Sequence, residues 1–266
     1  MNGNTWTATA AASSSGITGY VNGVAYGKDG AGQGLWVAVG SGGSFIAKSS
    51  DGNLWSPAGS FGGIATFGYS VAYGKDGAGQ GLWVAVGGGT IIAKSSDGNT
   101  WSLAGNVGGI SGYGRGVAYG KDGTGAGLWV AVGDTGVIAK SSDGNLWTPA
   151  ASKGGLTTTG YGVAYGKDGL GAGLWVAVGG GSIIAKSSDG NNWTAIPAVA
   201  IGGLSIAGQG VAYGKDDTGA GLWVAVGQGG LIAKSSDGNL WSSAGNVGGI
   251  ISNGWGVAFN EELYKP

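Results

Sequence analysis

Residues able to perform acid–base or metal chemistry are few in this sequence of 266 residues, which contains no His and no Cys. The chain therefore lacks the commonest general base, the commonest metal ligand and any thiolate nucleophile. Ten of the twelve Asp residues occupy two recurring positions, first at Asp29 and Asp51, while Asp134 and Asp217 fall in different loops. A glycosidase needs two carboxyl groups that face one bond at about 5–9.5 Å, and the sequence offers no such pair. We predict no catalytic residues, no metal site and no cofactor, so no enzymatic activity is expected.

Binding chemistry has better candidates, at positions where otherwise closely similar repeats differ from one another. Aromatic faces stack on flat ligands, and amide or guanidinium groups make oriented hydrogen bonds, so this mixture on loops favours a sugar or peptide site. The candidate ligand-binding residues are Tyr20, Phe67, Tyr69, Tyr113, Arg115, Tyr161, Gln209 and Trp255. The alternative is that these rings pack between repeats. In addition, a lectin with several equal sites would show the same site residues in every repeat.

The elements that position these residues follow from a recurring pentapeptide, Leu-Trp-Val-Ala-Val. Its Trp lies at positions 36, 83, 129, 175 and 223, which gives a period of about 46–48 residues. Short apolar runs between Gly-rich turns at this period are typical of a β-propeller blade. Each repeat contains four predicted strands, A to D, and strand B is apolar on both alternating faces, as a strand covered on both sides requires.

The sequence predicts one all-β domain over residues 1–266, a β-propeller of four-stranded antiparallel blades. Five complete repeats are expected at approximately 23–58, 70–104, 116–150, 162–196 and 210–244. The two ends supply a further D strand at 4–9 and a further A strand at 256–264, which would pair in a composite, partial sixth blade. The alternative is a five-bladed ring whose surplus ends are shared with a neighbouring subunit, giving a homo-oligomer through the terminal strands.

A Ser-Ser-Asp-Gly-Asn-x-Trp segment connects strands C and D in every repeat, as at 49–55. We expect its Asp to accept backbone N–H groups of its own turn, its Gly to take a positive φ and its Trp to cover the hairpin. The segment resembles a shortened Asp box of the sialidase-like (BNR) β-propeller repeat family. Sialidases of that family use an arginine triad, a Tyr–Glu pair and an acid Asp. This chain has one Arg, Arg115, and two adjacent Glu residues, Glu261 and Glu262, so the resemblance implies a non-catalytic, lectin-like member.

The loop at 27–34 contains Lys28 and Asp29, and its copies recur in every repeat. One Asp per loop supplies too few oxygen ligands for calcium, so a hairpin with a Lys28–Asp29 surface pair is the favoured interpretation. The net charge of −1 offers no broad attraction to nucleic acid. Neither a signal peptide nor a membrane-spanning run is evident, and the sequence assigns no cellular compartment.

Together these features predict a non-enzymatic recognition protein that binds a glycan or glycoprotein on the loop face of the propeller, with no nucleic-acid partner and no membrane insertion. The alternative is a structural or assembly subunit, or a regularised scaffold that arose by duplication or design. Such a protein would oligomerise through its incomplete blade.

Overall fold

The computed structural model describes residues 16–196, 207–244 and 252–259. Within them the chain forms five separate four-stranded antiparallel sheets, each built from four consecutive strands. This arrangement confirms the all-β fold and the five complete blades predicted from the repeat. No helix of the described residues is long and apolar enough to cross a membrane.

The five blades have nearly identical strand boundaries. Blade 1 consists of β1 (Val21–Lys28), β2 (Gly34–Gly40), β3 (Ile46–Ser49) and β4 (Ser56–Pro57). Blade 2 consists of β5 (Gly68–Lys75), β6 (Gly81–Gly87), β7 (Ile91–Ser95) and β8 (Ser102–Leu103). Blade 3 consists of β9 (Gly114–Lys121), β10 (Gly127–Gly133), β11 (Ile138–Ser141) and β12 (Thr148–Pro149). Blade 4 consists of β13 (Gly160–Lys167), β14 (Gly173–Gly179), β15 (Ile183–Ser187) and β16 (Thr194–Ala195). Blade 5 consists of β17 (Gly208–Lys215), β18 (Gly221–Gly227), β19 (Ile232–Ser235) and β20 (Ser242–Ser243).

The first strand of each blade is the inner one, and inner strands of consecutive blades contact each other. Their close approach depends on a glycine near the end of each strand. A Cβ on Gly120 would collide with the Tyr165 ring of the next blade, so only glycine leaves room for that ring. The same relation places the Phe259 ring against Gly214. Residues 252–259 therefore lie beside blade 5, where a sixth inner strand belongs.

The predicted terminal pairing is only partly open to comparison. Residues 4–9 and 260–264 lie outside the described residues. Residues 256–259, the described part of the last predicted A strand, pair with no described strand, and their pairing with residues 4–9 stays a prediction. In every complete blade the inner strand pairs with the strand that follows it, and the sequence after residue 259 contains no copy of that second strand.

The core lies between blades. At the interface of blades 2 and 3, Trp129 is fully buried against Leu82 and Val84 of the preceding blade. Its indole Nε1–H donates to the Lys75 carbonyl oxygen at 2.8 Å. This bond gives the buried N–H group the hydrogen-bond partner that it would otherwise lack. Equivalent Trp residues make the same bond at the other three interfaces between complete blades.

The turn between the third and fourth strands adopts the predicted hydrogen bonding. In blade 3, Asp143 Oδ1 accepts the backbone N–H groups of Asn145 and Leu146, both at 2.8 Å, and the Ser141 hydroxyl at 2.9 Å. Gly144 has a φ of 70°, and the Trp147 indole donates to its carbonyl oxygen at 3.1 Å. The repeated Asp, Gly and Trp are therefore structural, as expected.

The prediction of a Lys28–Asp29 surface pair was wrong, since no ion pair joins these two side chains in the structure. The Asp29 carboxylate instead caps its own loop and accepts the backbone N–H groups of Ala31 at 2.9 Å and Gln33 at 2.8 Å. A carboxylate already held by its turn has little to gain from an exposed Lys.

The Asp turns predict a loss of stability in acid. Burial acts to raise the pKa of the Asp189 carboxyl, but hydrogen bonds from the Asn192 and Asn191 N–H groups and from the Asn192 and Ser187 side chains together hold it at about 2, below the ordinary 3.8. A carboxyl whose pKa is lower in the folded state stabilises the fold above its unfolded pKa and loses that contribution as the pH falls towards the folded pKa. The melting temperature should therefore fall between about pH 4 and pH 2.

A matched variant isolates this contribution. Asp189→Asn cannot ionise, so it should melt below the wild type at neutral pH, and the difference should shrink as the pH falls to about 2. Thermal unfolding followed by circular dichroism across this pH range measures both curves. A difference that stays constant with pH would show that the Asp189 charge does not stabilise the turn.

Candidate functional site

The beginnings of the inner strands converge around one opening. The second residue of each inner strand is structurally equivalent in all five blades, and Trp255 takes the corresponding place in residues 252–259. These six equivalent residues are Asn22, Tyr69, Arg115, Tyr161, Gln209 and Trp255. With Tyr20 and Val21 they line a cavity of about 530 Å³, which we call the channel mouth. A second cavity of about 170 Å³ shares the same six residues and continues along the inner strands.

Six of the eight predicted binding residues line this cavity: Tyr20, Tyr69, Arg115, Tyr161, Gln209 and Trp255. Phe67 and Tyr113 do not. Phe67 lies behind Tyr69, with ring centroids 5.8 Å apart in a stacked arrangement, and Tyr113 lies 5.6 Å from the Tyr69 centroid. These two rings therefore support the lining residues instead of facing the cavity.

Asn22 lines the cavity although the sequence did not place it among the candidates. Its side-chain Nδ2–H donates to the Gly68 carbonyl oxygen at 2.9 Å, which ties blade 1 to blade 2 beside the opening. The sequence could have identified Asn22 as a candidate, because it occupies the same repeat position as Tyr69 and Arg115.

Arg115 is held in a fixed orientation at the channel mouth. Its Nε–H donates to Asp134 Oδ1 at 3.0 Å, and its Cζ lies 4.5 Å from the Tyr69 ring centroid and 4.8 Å from that of Tyr113. Contacts of this kind combine charge pairing with cation–π attraction. Within the described part of the chain, no residue accepts a hydrogen bond from the terminal amino groups of Arg115.

Asp134 positions Arg115 from the loop between β10 and β11, where residues Asp134–Gly136 form a short 3₁₀ turn. Its Oδ2 also accepts the Tyr113 backbone N–H at 3.1 Å. The sequence marked Asp134 only as an aspartate outside the repeat pattern. The structure shows that this loop and the connection before β9 meet on one face of the molecule.

The channel mouth is a single asymmetric site. Trp255 and Tyr20 are 69% and 79% exposed, so two large aromatic faces meet solvent beside the cavity. Gln209 and Asn22 supply amide groups, and Arg115 supplies a cation. Such a set offers stacking surfaces and oriented hydrogen bonds around one ligand. It differs from the equal, repeated sites of a multivalent lectin.

No protein-family model and no curated protein matches this chain. Among solved structures, the chain is similar to the WD40 repeats of RRP9, with a TM-score of 0.57 and 10% identity over 83% of this chain. It spans 61% of the length of that structure. It is also similar to YCF48, solved bound to a D1 peptide, with a TM-score of 0.51 and 15% identity over 89% of this chain and 86% of that one. At these identities the likeness establishes the fold alone: the chain is a repeat β-propeller.

Proposed function

We propose that this protein is a non-enzymatic recognition protein, a lectin-like propeller of the Asp-box type, and that its channel mouth binds a glycan. One observation carries the proposal. Side chains of five types project from six structurally equivalent positions into one cavity, although the backbone of the five blades repeats almost unchanged. The fold does not require this diversity, since the blades are equally well formed around Asn, Tyr, Arg or Gln.

The chemistry of the lining supports a sugar ligand. Its volume of about 530 Å³ falls within the range of about 300–1,000 Å³ common for small-ligand sites. Tyr161 and Trp255 offer flat apolar faces for the C–H side of a sugar ring, and Arg115 and Gln209 offer polar groups for its hydroxyls. A peptide is the competing ligand, because YCF48, a propeller of similar fold, was solved with a peptide bound.

The absence of catalysis is part of the proposal. The one carboxylate beside the channel mouth in the described residues is Asp134, and it accepts hydrogen bonds from Arg115, the Tyr113 N–H and the Thr159 hydroxyl. A carboxylate held in this way by three donors is poorly placed to exchange protons with a ligand.

A glycan array probed with the full-length protein tests the ligand class. We expect signal on a restricted set of glycans, and a decrease of at least about tenfold for Tyr161→Ala, which removes a stacking face. Leu170→Ala is the matched control, because Leu170 is 96% exposed in the β13–β14 loop at the opposite end of its blade. Binding of peptides but of no glycan would contradict the proposed ligand, as would equal loss of signal in the control.

A further inference from the structure

A second surface lies between residues 252–259 and blade 1, where the described residues form no complete blade. We call the side of a blade that faces its predecessor the leading face. On blade 1 this face is uncovered: Val24 is 56% exposed, whereas its four equivalents in the other blades are buried to 8% or less. Trp36 is 36% exposed, whereas its four equivalents are fully buried. Tyr26, whose ring lies 4.8 Å from that of Trp36, belongs to the same patch.

Residues 252–259 do not cover this patch. They contact blade 5, since a Cβ on Gly210 would meet Trp255 and Gly256. At the equivalent position, a Cβ on Gly256 would meet no described atom within 4 Å, so no inner strand follows it at the usual spacing. Residues 253–259 also form no β-ladder with any described strand, whereas every other inner strand pairs with the second strand of its own blade.

The missing cover can be deduced from the complete interfaces. There the leading face packs against the second strand of the preceding blade, as Trp129 and Val117 pack against Leu82, Val84 and Val86. The occupant of the gap must therefore present a Leu-x-Val-x-Val face and pair its backbone with residues 253–259. A β-hairpin with this pattern meets both requirements by strand addition.

We propose that the gap between residues 252–259 and β1 is a docking site for an apolar β-hairpin supplied by a separate polypeptide. All five hairpins of this pattern in the described chain are already inside their own blades, and the segments of this sequence outside the described residues contain no further copy of the Leu-x-Val-x-Val pattern. A second copy of the protein could supply one only by opening a blade, which would expose the buried Trp and Val side chains of that blade. A separate chain carries no such cost.

The probe for this site is a synthetic peptide with the sequence of residues 81–95, extended by a lysine tail for solubility and labelled with a fluorophore. Fluorescence anisotropy with the full-length protein should show saturable binding. A peptide carrying Leu82→Thr, Val84→Thr and Val86→Thr should bind at least about tenfold more weakly, because it loses the apolar face.

Variants of the protein locate the binding. Val24→Lys places a charge in the uncovered patch and should weaken binding at least about tenfold, and Tyr26→Ser should weaken it in the same direction. Leu170→Lys, a charge on an exposed leucine elsewhere, should bind as the wild type does. Melting temperatures of all variants control for folding, which the exposure of Val24 and Tyr26 should leave intact.

The proposal is overturned if the peptide does not bind, or if Val24→Lys and Tyr26→Ser both bind it as tightly as the wild type. It is also overturned if light scattering without peptide shows self-association that Val24→Lys abolishes, since a second copy would then occupy the gap.

Discussion

Replacement of Trp129 by Ala is expected to lower the free energy of unfolding by about 3–5 kcal/mol. The side chain is fully buried between blades 2 and 3, so its removal leaves a cavity lined by Leu82 and Val84. It also removes the indole donor from the Lys75 carbonyl oxygen. Because an interior of this density relaxes only partly around a void, both losses add to the destabilisation.

The same substitution at Trp36 provides an internal comparison. Trp36 occupies the equivalent position in blade 1 but is 36% exposed, since blade 1 has no complete predecessor. Less apolar area is lost and a smaller cavity forms, so we expect at most about half the effect seen for Trp129→Ala. Chemical denaturation followed by far-ultraviolet circular dichroism measures both. Equal losses would mean that Trp36 is covered as fully as the others, and the ring would not be interrupted at blade 1.

Replacement of Arg115 by Ala is expected to weaken glycan binding by about 10–100-fold, the range for losing hydrogen bonds from a charged donor. The substitution removes the one cation among the described residues that line the channel mouth and also the partner on which the Tyr69 and Tyr113 rings pack. Arg115→Lys should recover only part of the affinity, because an ammonium group keeps the charge but lacks the planar face and the paired donors.

The stability of the fold should change little in Arg115→Ala. The side chains of Arg115 and Asp134 are 24% and 25% exposed, and a partly solvated ion pair contributes little to the free energy of unfolding. Isothermal titration calorimetry with a glycan selected on the array measures the affinity, and a melting curve measures the stability. A large drop in melting temperature with unchanged affinity would assign Arg115 a structural role.

Much of the fold is predictable because every repeat shows the same apolar strand pattern and the same turn residues. The pentapeptide around Trp129 is apolar on both faces of a strand, which specifies a blade covered on both sides. The turn at Asp143 is equally predictable from the sequence, since Asp, Gly and Trp each suit one position in it. The interruption at blade 1 could be anticipated by counting strands. The sequence could not show that residues 253–259 pair with no described strand, because pairing depends on which strand lies beside them in space.

The candidate site was predictable from differences among the repeats and less so in its details. Tyr113 and Arg115 lie two residues apart, and the sequence does not reveal which of them faces the cavity until the start of β9 is known. Only then is Arg115 seen in the cavity and Tyr113 behind it. The contact between Arg115 and Asp134 spans 19 residues of sequence and depends on how two loops meet on one face. The predicted Lys28–Asp29 pair was wrong because the Asp29 carboxylate accepts hydrogen bonds from backbone N–H groups of its own turn.

The central claim, that the channel mouth is the binding site, is tested most directly by the indole N–H resonances of the twelve Trp residues in ¹⁵N-labelled protein. The Trp255 resonance, assigned through Trp255→Phe, should shift progressively as a glycan selected on the array is added, because its ring is 69% exposed beside the cavity. The Trp147 resonance should not move, since that indole is buried and bonded to the Gly144 carbonyl oxygen. A titration that shifts other indole resonances and leaves Trp255 unchanged would contradict the claim.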